Sequence, residues 1–88
     1  MDEDILLEQA RLLVQRLERL SADSLWAHRA SGYRASLLKA LDLIEKHQLQ
    51  GEERIKVLDH LDFLIGKGFE LLEKAARELV KGRLVRPR

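Results

Sequence analysis

The stretch Ser24–Gln48, SLWAHRASGYRASLLKALDLIEKHQ, decides the fold. Trp26, Ala30, Tyr33, Leu37, Leu41, Ile44 and Gln48 recur at intervals of three and four. That is the spacing of one helix face, not the alternation of a strand. The stretch holds the chain's only Trp and only Tyr, and it lies between two further segments with the same periodicity. It therefore reads as the middle helix of three. Gly32 interrupts it, at a cost of about 1 kcal/mol relative to Ala, and predicts a close crossing by a neighbouring helix.

Upstream, Leu6, Leu13 and Leu20 repeat every seven residues, with Ala10 and Leu17 beside them. This predicts a first helix over about 2–20. Asp2, Glu3 and Asp4 place negative charge where the helix dipole favours it. The break after it, Ser21-Ala22-Asp23-Ser24, offers three residues that cap helix N-termini well. Downstream, Leu49-Gln50-Gly51 is a second break, and Gly51 suits a left-handed residue past a helix end. A third helix follows over about 52–81. Ile55, Leu58, Ile65, Phe69, Leu72, Ala76 and Leu79 keep an a/d-like frame for nearly four heptads, with Asp62 at one a-like position. Gly66 and Gly68 suggest a bend. Gly82 reads as the stop, leaving 83–88 as a short basic tail.

The expected architecture is one all-α domain over 1–82, an antiparallel up-down-up three-helix bundle, because short connections make successive helices antiparallel neighbours. A chain of 88 residues without Cys buries a marginal core and has no disulfide to support it. Each helix also carries an apolar arc of about 200°, wider than one bundle face needs. Completion by a homodimer is therefore expected, and Leu7, Val14, Leu38, Leu43, Leu64 and Leu71 are the candidate interface.

Charge and composition exclude more than they assign. The formal charge is +1, so no strongly acidic or basic partner is implied. No apolar run reaches the ~20 residues of a membrane span, and the acidic start is unlike a signal peptide. A cytoplasmic protein is expected. No Gly-rich phosphate loop is present, and no nucleophile, base and oxyanion set can be assembled. The chain is expected not to be an enzyme and to need no cofactor, metal or small-molecule substrate.

Four local features are candidates for function. Asp62 on a core stripe needs a buried partner, for which Arg34 or Arg29 is expected across the helix interface. Arg29 and Arg34 otherwise pair with acids of a neighbouring helix, Glu8, Glu18 or Asp62, and the same region could hold an anion. His47 and His60 flank the second break without a ligand-pair spacing, so both read as solvated. Lys74, Arg77, Lys81, Arg83, Arg86 and Arg88 form the one basic concentration, a possible nucleic-acid contact, although Glu70, Glu73 and Glu78 interleave with it. Arg54 and His60 also read R-x5-H, similar to the short Arg…His motif of HEPN ribonucleases. That resemblance spans seven residues and implies metal-independent RNA cleavage by Arg54 and His60.

The sequence thus points to a small helical protein acting by protein–protein association, as a homodimer, an adaptor or a complex subunit. The alternative is a nucleic-acid-binding accessory subunit that uses the basic tail and the outer face of the third helix.

Overall fold

A computed structural model describes residues 3–20 and 26–85, with residues 79–85 described for their helical backbone alone. Three helices are present, α1 (Glu3–Glu18), α2 (Ala27–Glu45) and α3 (Gly51–Val85), and each packs against the other two. The expected all-α three-helix bundle is the fold. The contacts fix its course. The start of α1 meets the start of α3 through Glu3 and Arg54, and the end of α1 meets α2 through Glu18 and Arg34. Up, down and up again is the path.

The core is entirely apolar. Leu13, Leu37 and Leu61, one from each helix, are the largest side chains with no appreciable exposure. Leu6, Ala10, Val14 and Leu17 of α1 surround them, with Leu41 and Ile44 of α2 and Leu64, Ile65 and Leu71 of α3. Trp26 and Tyr33 are half-buried and pack against this cluster from the α2 side, where the α2 stripe placed them. Fully burying a Leu contributes about 1.5–3 kcal/mol. No charged or polar residue is buried among the described residues.

Three features differ from expectation. The first is helix length. At 1.5 Å per residue α1 and α2 are only about 24 and 28 Å long, whereas α3 runs about 52 Å. It continues through Gly82 to Val85, past the expected stop. A glycine can adopt right-handed helical angles at about 1 kcal/mol, so it ends a helix only when the chain beyond needs to turn. The capping residues expected at Ser21, Asp23 and Ser24 lie outside the described residues, as do Arg86 and Arg88.

The second is the close helix approach. Gly32 is exposed, and a Cβ added there would meet nothing within 4 Å. The same holds for Gly66. The close contact belongs to Gly68, where a Cβ would overlap Leu13 Cδ2 and lie 3.1 Å from Leu13 Cγ. The missing side chain of Gly68 is what lets α1 lay Leu13 against the α3 backbone.

The third is the α2–α3 connection. Gly51 is left-handed, with φ of 66°, as its position suggested. Gln48 is left-handed as well, with φ of 48°, although it is not a glycine. Arg54 stabilises this turn by donating from Nη1 to the Leu49 carbonyl at 3.0 Å and from Nη2 to Glu3.

These differences generate opposite expectations for similar substitutions. Gly68→Ala should destabilise the fold by about 1–3 kcal/mol through overpacking against Leu13. Gly32→Ala should stabilise it by up to about 1 kcal/mol through helix propensity. Urea denaturation followed by circular dichroism separates the two signs. By the same method Gln48→Gly should be neutral or stabilising, because relief of left-handed strain offsets the added chain entropy.

Candidate functional site

Every fully buried side chain among the described residues is apolar, so polar groups that could form a site lie along the seams between helices. The α1/α2 seam is bridged at both ends. Arg11 pairs with Glu45, and Arg34 Nη1 donates to Glu18 Oε1 at 3.2 Å. Leu38 lies between these bridges, 43% exposed.

The Arg34 bridge answers one expectation and corrects another. Glu18 is among the acids expected to meet an Arg of α2. Asp62, expected in a buried pair with Arg34 or Arg29, is exposed. Arg34 is held by Glu18, and the Arg29 guanidinium lies over the Trp26 ring at 5.5 Å from its centroid. The physical reason is rotational. The buried residues of α3 are Leu61, Leu64, Ile65, Gly68 and Leu71. At about 100° per residue their mean direction is roughly a quarter-turn away from the a/d frame in which Asp62 looked central. Asp62 lies on the rim of the α1/α3 groove and incurs no desolvation cost that would demand a partner.

The candidate interface needs a similar correction. Val14, Leu64 and Leu71 are buried within the single chain, and Leu7 is half-buried against the same core. Each helix packs against two others, so much of the wide apolar arc is consumed inside the bundle. Leu43 is half-buried and lines the α2/α3 groove. Of the five leucines and one valine expected at an interface, only Leu38 is exposed. The other exposed large apolar residues are Ile5, Leu12, Ile55 and Phe63. Those four were not singled out, because an arc's width does not show which of its edges a neighbour covers.

Three cavities lie along the seams. One of about 100 Å³, between the start of α2 and the second half of α3, is bordered by Trp26, Arg29, Tyr33, Lys67, Glu70 and Lys74. It brings Arg29 together with the basic face of α3, two features that lie far apart in sequence. The α2 N-terminus lies nearby, and its first turn carries no acid. Glu70 partly neutralises the cluster. Its carboxylate accepts from Lys74 at 3.3 Å and lies 3.7 Å from Lys67. The hydrogen bond from Lys74, then the charges of Lys67 and Lys74, hold the Glu70 pKa below the usual carboxylate range. Arg77 is engaged with Glu73 in the next turn. The basic face of α3 is therefore a ladder of exposed i,i+3 and i,i+4 pairs, which solvent screens strongly. The side chains of Lys81 and Arg83, like Arg86 and Arg88, lie outside those described.

A second cavity of about 390 Å³ separates α2 from the first half of α3, between Ala40, Leu43 and Val57, with Lys39, Lys56 and His60 around it. The third, about 260 Å³, lies where α1 starts beside α3 and is lined by Glu3, Leu6, Ile55, Leu58, Asp59 and Asp62. Arg54 and His60 do not converge. Arg54 is half-buried and held by Glu3 and the Leu49 carbonyl, while His60 is exposed beside the α2/α3 cavity. They lie six positions apart on α3, about 9 Å of rise. Among the described residues no group of three His, Asp or Glu side chains could hold a metal ion. His47 and His60 are both exposed. No helix among the described residues is long and apolar enough to cross a membrane.

No family model matches this chain, and no curated protein or solved structure was found to be similar to it.

The Glu70 ladder has a measurable signature. Titration of its carboxyl by NMR should fall below the ordinary glutamate position, and Lys74→Ala should move it up. Because the folded pKa is the lower one, any stabilisation by this ladder is present above the ordinary carboxylate range and is lost as pH falls through the Glu70 pKa. A titration at the ordinary Glu position in the unaltered chain would contradict the geometry.

Proposed function

We propose that the protein works by association with another polypeptide, in the first place a second copy of itself. The observation that carries this reading is the exposed apolar surface left after the bundle has closed. Ile5, Leu12 and Ile55 are 51%, 44% and 59% exposed; Ile5 and Leu12 share one edge of α1 by their seven-residue spacing, and Ile55 lines the α1/α3 groove. Scattered exposed apolar side chains are ordinary, whereas aligned ones favour a partner. The absence of a buried polar centre agrees with a protein whose working surface is its outside. The expected result is a species of twice the 10.2 kDa chain mass in sedimentation equilibrium at micromolar concentration, with a melting temperature that rises with concentration. A single species of chain mass across that range overturns the reading.

A second reading, binding of single-stranded nucleic acid, is favoured by one observation. Arg29, Lys67 and Lys74 border the same small cavity as Trp26 and Tyr33, which combines cations with aromatic faces. The ion pairs with Glu70 and Glu73 weigh against it. Trp26 is the only tryptophan, so its fluorescence reports on this cavity directly. A change on adding an oligonucleotide at 50 mM salt, reversed as salt rises, is the expected sign of binding. An unchanged spectrum removes this reading.

A further inference from the structure

We infer that a second copy of this chain docks along the α1/α3 groove, antiparallel to the first, about a two-fold axis passing near Leu12 and Gly66. This inference rests on the association reading above and adds the face and the direction.

Charge selects the face. A two-fold axis brings the same patch of both copies together, so the patch must be complementary to itself. The α2/α3 groove is the larger, but Lys39, Lys56 and His60 surround it, and a two-fold there sets cation against cation. The α1/α2 seam is closed by its own ion pairs, Arg11–Glu45 and Arg34–Glu18.

The α1/α3 groove differs from both. Along α1 the exposed edge runs Ile5, Gln9, Leu12 and Arg16, at intervals of four and three, with exposed Arg19 in the turn just past its end. Leu13 faces α3 and Arg11 faces α2, so this edge borders the groove on its outer side. Along α3 the matching edge runs Ile55, Asp59, Asp62 and Gly66. The two helices are parallel. Both acids therefore lie towards one end of the groove and both arginines towards the other. None of these four charges has an ion-pair partner among the described residues. Glu73, further along the α3 edge, is held by Arg77.

An antiparallel two-fold sets Asp59 and Asp62 of each copy against Arg16 and Arg19 of the other, with Ile5, Leu12 and Ile55 excluding water between them. A parallel arrangement would set like charges together. Gly66, at the middle of the edge and with open space where a Cβ would be, leaves room for the partner to approach.

Charge reversal tests the geometry in the full-length chain. Asp59→Arg with Asp62→Arg makes the groove basic throughout, and Arg16→Glu with Arg19→Glu makes it acidic throughout. Each altered chain should keep its helical circular dichroism, because all four residues are exposed. Each should dimerise at least tenfold more weakly than the unaltered chain in low salt. An equimolar mixture of the two should recover dimers, almost all of them mixed. If the unaltered chain dimerises and the altered chains dimerise equally well, or if the mixture fails to recover, this face is wrong while the association reading stands. A monomeric unaltered chain removes both. Should either reversed chain lose helicity, Asp59→Asn with Asp62→Asn replaces it. That chain should dimerise more weakly in low salt with a flatter salt dependence, and an unchanged affinity and salt dependence overturns the proposal.

Discussion

The seating of Leu13 on the bare backbone of Gly68 is the contact on which the rest of the packing depends. It sets how near α1 lies to α3, and α2 must then fit both. With Leu13 lodged there, Leu37 and Leu61 close the centre and the remaining leucines fill around them. Interiors packed at crystal-like density transmit such local spacing, so one side chain's width here is felt by all three helices. Because nothing polar is buried among the described residues, this steric fit has no hydrogen-bonded network to support it.

Much of this was legible in the sequence, for a definite reason. Helix number, order and inward faces follow from spacing within each segment, and Leu13, Leu37, Leu41, Ile44 and Ile65 lie inside as their stripes indicated. What spacing cannot supply is which residue of one helix meets which residue of another. Gly32 and Gly68 look alike in sequence, but Gly32 lies off the buried face of α2, whereas Gly68 lies on the face of α3 that meets Leu13 of α1. Asp62 was misread on the same account. A heptad frame fitted to α3 alone is rotated away from the direction in which its two neighbours lie. Gly82 resembled a stop because glycine often follows a helix end, yet the helix runs through it to Val85.

The candidate site was less legible still. The arginines of α2 and the lysines of α3 were separate features in the sequence, and the antiparallel course of α2 and α3 brings Arg29 beside Lys67 and Lys74. The exposed edge of Ile5, Leu12 and Ile55 emerged only by subtraction, as what remained after the bundle had covered Val14, Leu64 and Leu71. Sequence patterning reports how much apolar surface a helix has. The fold decides which part of it is left over.

The interhelical ion pairs carry one more consequence. Arg11–Glu45 and Arg34–Glu18 join α1 to α2, Arg54–Glu3 joins α1 to α3, and all lie at the rim. An up-down-up bundle can be wound in either hand, with α3 on one side or the other of the α1–α2 hairpin. An apolar core tells the two windings apart only by shape, as at the Gly68 notch, whereas rim charges tell them apart by which partners they meet. Exposed pairs contribute little to the depth of the native well. Here their larger effect is to raise the energy of the oppositely wound competitor, so they act on the uniqueness of the fold more than on its strength.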